Sequence, residues 1–217
     1  GALRCARCKW EPAMSEPKKT ESFAGNVMKY SIATYLGFGI SGAALIIKGV
    51  LPAESYAVPA SFMAYTMSLM NVGMLGLDQS LLRFYHEPPA GSTGRSMFAA
   101  CTRLSVLVML LAGGIGSIFF AKPLAAAFGL GASGAGLVPF LFLNAALYML
   151  VRYLNVLLRL ENNVRAYTTE TLWMQACLNL IYLLPGFVTQ DARAFVLGAL
   201  CSFAGVAVFY WRRASKG

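Results

Sequence analysis

Long runs without a charged residue alternate with short polar segments along most of this chain. The uncharged runs cover residues 30–47, 55–77, 104–121, 123–151, 171–190 and 194–210. Each is close to, or longer than, the roughly 20 residues that a helix needs to cross the hydrocarbon core of a bilayer. The runs are too long for strands and lack the two-residue alternation of a membrane barrel. The pattern predicts an all-α, polytopic membrane protein.

The polar segments between the runs divide the chain into a bundle of six transmembrane helices. We expect these helices at about residues 30–50, 59–84, 97–121, 136–159, 168–189 and 194–211. Together they make a single transmembrane lobe, residues 28–217. Its loops fall where Gly, Pro and charged residues cluster.

Composition supports the membrane assignment. Hydrophobic residues make up 58% of the 217 residues and charged residues only 12%, and the mean hydropathy is +0.61. A soluble domain carries about 25% charged residues. Such a chain is expected to lie in a bilayer.

The positions of the basic residues predict the orientation. If both termini are cytoplasmic, fifteen of the eighteen Lys and Arg residues lie on the cytoplasmic side. The other side keeps only Lys48, Lys122 and Arg193. This is a strong positive-inside bias. The net charge of +9 is therefore a topology signal, and we expect no nucleic-acid partner.

Residues 1–27 form a polar, basic segment that precedes the first apolar run. We expect a disordered cytoplasmic leader, because the segment lacks the apolar core of a signal peptide. Met14 and Met28 are both candidate start positions. Cys5 and Cys8 form a lone C-x-x-C pair without a second pair, so neither a metal site nor a cofactor is expected.

A glycine motif, GFGISG at residues 37–42, matches a dinucleotide-binding fingerprint in letters but not in context. The fingerprint needs a strand before it and a helix that begins at the glycines, whereas this motif lies inside a predicted membrane helix. We expect Gly37, Ser41, Leu45 and the nearby Gly42 to let a neighbouring helix approach closely.

Polar side chains recur at helical spacing inside three of the predicted spans. They are Asn144, Tyr148, Arg152, Asn155 and Arg159 in the fourth, Thr171, Gln175, Asn179 and Tyr182 in the fifth, and Ser61, Tyr65, Ser68, Asn71 and Asp78 in the second. Such residues usually face a bundle interior or a wet cavity. One interpretation is simple hydrogen bonding between helices. We favour a hydrated cavity with a cationic cytoplasmic end, which suits a phosphate or pyrophosphate group.

The end of the second span carries two further charges. Asp78 and Arg83 lie about 140° apart on a helix, so they do not pair. Asp78 is expected to face the lobe interior, as a gate contact or a partner for an arginine of another helix. Arg83 is expected at the membrane boundary, with Glu87 as its i+4 partner. The predicted substrate-binding residues are Asp78, Arg83, Asn144, Arg152, Asn155, Arg159, Gln175 and Asn179.

Residues 49–87, GVLPAESYAVPASFMAYTMSLMNVGMLGLDQSLLRFYHE, resemble a stretch of the polysaccharide-export flippases. These belong to the multidrug/oligosaccharidyl-lipid/polysaccharide exporter superfamily, whose members show an L-P-x-E-x-Y turn and then an apolar helix ending in G-L-D-x-x-x-x-R-F-Y. The matching residues are Leu51, Pro52, Glu54, Tyr56, Gly76, Leu77, Asp78, Arg83, Phe84 and Tyr85. Ala57 stands where the family usually has Gly.

The resemblance implies a transporter in the inner membrane of a bacterium that works by alternating access. Its substrate would be an undecaprenyl-pyrophosphate-linked oligosaccharide for O-antigen, capsule or exopolysaccharide. Such flippases have twelve to fourteen spans, so this six-helix chain resembles the N-terminal lobe alone. A second six-helix lobe or a second copy of the chain would have to supply the other wall of the cavity.

Three other functions are compatible with a six-helix membrane lobe. A multidrug or small-cation exporter of the same superfamily would need an anionic cavity, whereas the polar stripes here carry one carboxylate and two arginines. A membrane enzyme would need a clustered acid or His set, and the chain has no H-E-x-x-H, G-x-S-x-G or phosphate-loop motif. We therefore expect no enzyme. A scaffold or dimerising half-transporter is the third alternative.

Overall fold

Every described element of the chain is helical. The structure is a computed structural model, and it describes residues 23–189 and 191–214. The nine α-helices of this part are α1 Phe23–Val50, α2 Ala53–Met74, α3 Leu77–Phe84, α4 Gly94–Phe119, α5 Ala121–Ala127, α6 Val138–Leu160, α7 Val164–Ala176, α8 Leu183–Thr189 and α9 Ala192–Ala214. A 3₁₀ segment, Ala132–Leu137, precedes α6, and a π-helical turn, Cys177–Ile181, joins α7 to α8. The predicted all-α class is confirmed.

Three described helical segments are long and apolar enough to cross a membrane: Gly94–Phe119, Gly134–Leu160 and Val164–Thr189. A fourth span exists if Tyr56–Met74 and Leu77–Phe84, which meet at a bend of 51°, are counted together. The first and last helices contain shorter apolar stretches, Thr34–Val50 and Ala192–Val208. Three to four of the six predicted spans are thus supported by length and composition, whereas the predicted orientation stays a prediction.

The chain breaks within the second predicted span. Leu75 and Gly76 both adopt left-handed backbone conformations, with φ of 51° and 71°. This conformation ends a helix, because it turns the backbone away from the hydrogen-bonding ladder. Residues 59–84, predicted as one helix, therefore belong to two helices, α2 and α3. The predicted polar face from Ser61 to Asp78 is interrupted at Leu75 and Gly76.

Most of the predicted leader, residues 1–22, lies outside the described residues. Residues 23–27, the last five of the predicted leader, are helical, because α1 begins at Phe23 rather than near residue 30. Cys5, Cys8 and Met14 lie outside the described residues as well. Residues 122–135, which separate the third and fourth predicted helices, contain most of α5 and of the 3₁₀ segment.

Helix α6 occupies the centre of the bundle and packs against α2, α4, α7 and α9. Gly113 lets α4 approach it closely, because a Cβ atom on Gly113 would lie 2.5 Å from Phe142 Cβ. The core consists largely of α6 side chains and the residues that surround them. The buried position of α6 decides where its polar side chains point.

Helix α1 packs mainly against α7 and the π-helical turn. Gly37 is buried there, and a Cβ atom on it would lie 3.2 Å from Gln175 Cγ. Ala44, two helical turns further on, is fully buried. The predicted packing role of Gly37 is confirmed, but Leu45 and Gly42 are exposed. The contact face of α1 is therefore Gly37, Ser41 and Ala44, because those residues follow the i, i+4, i+7 spacing of one helix face.

Candidate functional site: a groove with a cationic wall

A groove of about 520 Å³ runs beside α1, at the end of the bundle where α6 ends and α7 begins. Its wall combines the first half of α1 with residues of α3, α6 and α7. The lining residues are Val27, Ser31, Thr34, Leu82, Arg159, Leu160 and Tyr167. We call it the Arg159 groove, because Arg159 is the charged residue among these seven.

Helix α1 packs on α7, and its residues Val27 and Ser31 line the groove together with Leu82 of α3. The last turn of α6 adds Arg159 to the lining. A cation in the last turn of a helix is favoured by the partial negative charge of the carbonyl end.

The Arg159 side chain is exposed, and its guanidinium carbon lies 5.9 Å from the centroid of the Tyr167 ring. This cation–π contact holds the side chain over α7. An Arg in such a position can engage two phosphate oxygens through parallel hydrogen bonds. The Ser31 and Thr34 side chains add hydroxyl groups to the same wall. The groove therefore has the chemistry to bind an anionic group that carries hydroxyls or phosphates.

A second groove, of about 700 Å³, lies against Ile32 of α1 and the first two turns of α7. Its lining includes Arg165, Thr168 and Thr169. The α7 helix begins here, and Asn163 Oδ1 accepts a hydrogen bond from the Ala166 N–H at 3.2 Å. The first half of α1 is thus flanked by Arg159 in one groove and Arg165 in the other.

The polar stripe predicted along the fourth span meets several neighbouring helices rather than one cavity. Asn144 is fully buried, and its Nδ2 donates to Thr66 Oγ1 of α2 at 3.3 Å. Asn155 is also buried, and its Nδ2 donates to Thr171 Oγ1 of α7 at 3.1 Å. For these two residues the interpretation as hydrogen bonds between helices is correct, and the favoured hydrated cavity is wrong. The reason is the central position of α6.

The other stripe residues also contact neighbouring helices. Tyr148 is buried, and its ring lies 5.0 Å from that of Phe203 on α9. Arg152 is half-buried next to α7. In the fifth span, Asn179 Nδ2 donates to Gln175 Oε1 at 3.1 Å. Gln175 and Asn179 are therefore brought together, but neither lines the Arg159 groove.

Asp78 and Arg83 both lie on α3, outside the groove wall. Asp78 lies in the first turn of α3, where the N–H groups at the start of a helix favour a carboxylate. Gln79 Nε2 approaches its Oδ2 at 3.4 Å. Arg83 is exposed and lies over the ring of Phe84, 5.4 Å from its centroid. The prediction that Asp78 continues the α2 face is wrong, because a new helix begins at Leu77.

The expected i+4 pair of Arg83 with Glu87 does not form. Helix α3 ends at Phe84, so Glu87 lies beyond the last turn. The ion pair at this end joins Arg95 of α4 to Glu161 after α6, with Nη2 and Oε1 3.0 Å apart. The Tyr85 hydroxyl donates to the same Glu161 oxygen at 3.2 Å. Burial raises the pKa of Tyr85 above its ordinary value of 10.0, and the Glu161 carboxylate raises it further.

Two features of the described chain escaped the sequence analysis. Lys48 Nζ lies 5.9 Å and 6.0 Å from the ring centroids of Tyr56 and Tyr182, whose hydroxyls are 3.1 Å apart. Glu170 of α7 is fully buried, and neither of its carboxyl oxygens has a hydrogen-bond partner. The available signal for Glu170 was an acid within an apolar helical pattern, which marks a functional candidate. For the Lys48 cluster no sequence signal brings the three helices together.

No protein-family model, curated protein or solved structure matches this chain. The likeness to the flippases therefore rests on residues 49–87 alone.

Proposed function

We propose that this chain is a lobe of a bacterial inner-membrane flippase. Its substrate would be an oligosaccharide linked to undecaprenyl pyrophosphate, used for O-antigen, capsule or exopolysaccharide synthesis. The observation that carries the proposal is the Arg159 groove, which brings an exposed arginine to one end of helices that are long and apolar enough to cross a membrane. The resemblance of residues 49–87 points to the same function.

The two parts of such a substrate match two surfaces of the molecule. The pyrophosphate would bind the Arg159 guanidinium, which the Tyr167 ring holds in place. Its polyprenyl tail would lie along the outer face of α1, where Tyr35, Phe38 and Ile46 are all more than 60% exposed. Apolar surface of this kind is stable in contact with lipid chains.

One lobe can form only one wall of a transport pathway. The partner would be a second six-helix lobe or a second copy of this chain, placed so that α1 and the Arg159 groove face the shared space. Alternating access would then expose the groove first to one side of the membrane and then to the other.

A binding measurement tests this proposal directly. The purified chain is placed in lipid nanodiscs, and binding of undecaprenyl pyrophosphate is followed by native mass spectrometry. Arg159→Gln should weaken binding about tenfold or more, because a charge-assisted phosphate contact contributes about 1.5–3 kcal/mol. Undecaprenyl phosphate should bind more weakly than the pyrophosphate, and inorganic pyrophosphate weakest, since it lacks the tail.

Arg103→Gln is the matched control. Arg103 is an exposed arginine of α4 outside the groove, so the substitution removes the same charge without touching the proposed site. Binding that falls equally in both variants would indicate a non-specific charge effect and would contradict the proposal. Preferential binding of a lipophilic cation would instead favour a multidrug exporter.

A further inference from the structure

Glu170 is the most unusual titratable residue in the described part of the chain. It lies in the second turn of α7, inside a segment apolar enough to cross a membrane. Its side chain is fully inaccessible, and neither Oε1 nor Oε2 has a hydrogen-bond partner. Native proteins satisfy nearly all such buried groups, so an orphaned pair of oxygens calls for a physical explanation.

The surroundings of Glu170 are polar on one side. Across the α6–α7 contact lie Asn155, whose amide hydrogen bond goes to Thr171 at 3.1 Å, and Arg152, which is half-buried. Arg152 is the charged residue with an electrostatic effect on Glu170. On the other helices packed against α7, the described titratable groups are Tyr35 and Lys48 on α1 and Arg193, Cys201 and Arg212 on α9.

The two protonation states of this carboxyl group require different arrangements. An ionised carboxylate that is buried without hydrogen bonds is strongly unfavourable, and such groups take up a proton instead. The arrangement in this structure therefore suits the protonated acid. An ionised Glu170 would need donors, and the nearest are the Asn155 amide and the Arg152 guanidinium. The Asn155 amide gives one N–H to Thr171 and has only one more to offer. A single donor cannot replace the hydration of two carboxylate oxygens, so ionisation requires the α6–α7 contact to open and admit water or Arg152.

We propose that Glu170 is a proton-binding site that controls the contact between α6 and α7. In the arrangement described here the carboxyl group holds a proton. When the contact opens, the O–H bond breaks, the proton passes to water, and the carboxylate is stabilised by Arg152 and Asn155. The site does not depend on the transport proposal, since it requires no substrate and lies outside the Arg159 groove.

Trp173, three residues from Glu170 on α7 and half-exposed, is a natural reporter. The full chain is purified with Trp10→Phe and Trp211→Phe, and the Trp173 emission is followed between about pH 5 and pH 9, where buried carboxyl groups titrate. We expect one sigmoidal transition. Glu170→Gln, which mimics the protonated acid, should abolish the transition and hold the low-pH signal.

Glu161→Gln is the control, because Glu161 is an accessible acid already paired with Arg95; it should leave the transition unchanged. A transition that persists in Glu170→Gln would overturn the proposal. A midpoint that follows sodium concentration, with choline as the replacement ion, would also overturn it in favour of a metal-cation site.

Infrared spectroscopy supplies a second test, on the chain with Glu170 intact. The carbonyl band of a protonated carboxyl group should be present at neutral pH and should disappear on alkalisation. Its absence at neutral pH would contradict the proposal.

Discussion

Helices α6 and α1 are both long and apolar, yet they have opposite places in the molecule. Helix α6 is enclosed by α2, α4, α7 and α9, so even its Asn side chains are buried and hydrogen-bonded. Helix α1 packs on α7 with a single face, and much of its remaining surface is exposed. Polar residues in the middle of a central helix are enclosed by the neighbouring helices, and only the end of α6, at Arg159, reaches a groove. A helix at the edge of the bundle leaves a groove in which a ligand can bind.

The largest effect is expected from crowding the α4–α6 contact. Gly113→Leu on α4 places a side chain against Phe142, whose Cβ and Cγ would lie 2.5 Å and 2.8 Å from the new Cβ atom. Overpacking of this kind destabilises by about 1–3 kcal/mol or more. A thermal-unfolding measurement in detergent should show a clear loss of stability. Gly114→Leu is the adjacent control, because a Cβ atom there meets nothing within 4 Å; equal losses in both variants would show that α6 is not closely packed by α4.

The same experiment on α1 should have a smaller effect. In Gly37→Leu the new side chain would push against the Gln175 side chain, which is flexible and can move aside. We expect a loss of about 1 kcal/mol, together with displacement of α1 from α7. Crosslinking between cysteines introduced on α1 and α7 would detect the displacement. Gly39→Leu, at a position with open space around it, should change neither the stability nor the crosslinking. A Gly37 variant as stable as the Gly39 variant would show that α1 is not closely packed on α7 at Gly37.

The hydrogen bond of Asn144, a buried amide of α6, should contribute less to stability than either glycine contact. Asn144→Ala removes the hydrogen bond to Thr66 at 3.3 Å. Side-chain hydrogen bonds between membrane helices contribute about 0.6 kcal/mol on average. A double-mutant cycle with Thr66→Val should give a coupling energy of that size. The exposed Asn71 of α2 is a suitable control residue for substitution by Ala, and a coupling energy near zero would mean that Asn144 does not hold α2 against α6.

The smallest effect is expected at the end of α6. Arg95→Gln breaks the ion pair with Glu161 in a partly exposed setting, where such pairs contribute about 0–1 kcal/mol. The loss should shrink as salt is added. Unfolding measured at low and high salt checks this, and a stability loss that grows with salt would contradict it.

Tyr85, which hydrogen-bonds to the same Glu161, has a raised pKa in the folded chain. Any stability that its neutral hydroxyl contributes is therefore present below the ordinary pKa of 10.0 and is lost only as the pH rises through the raised pKa.

The candidate site was only partly predictable from the sequence. Arg159 ends a stripe of polar residues, which predicts a binding role for it, and the structure places it in the wall of a groove. The same spacing predicts a binding role for Asn144 and Asn155, but they lie at contacts between helices. Helical spacing identifies the face that a side chain occupies, but it contains no information about which neighbour covers that face.

Three features could be read from the sequence alone: the helical class, the long apolar segments and the close packing at Gly37. These follow from local properties, since apolar length, charge spacing and residue size act within a single helix. Three others appear only in the folded molecule: α6 is central, the second span breaks at Leu75 and Gly76, and Glu170 is sealed against α6. Those features depend on contacts between segments far apart in the chain, and the energy of such contacts exists only once the helices are packed together.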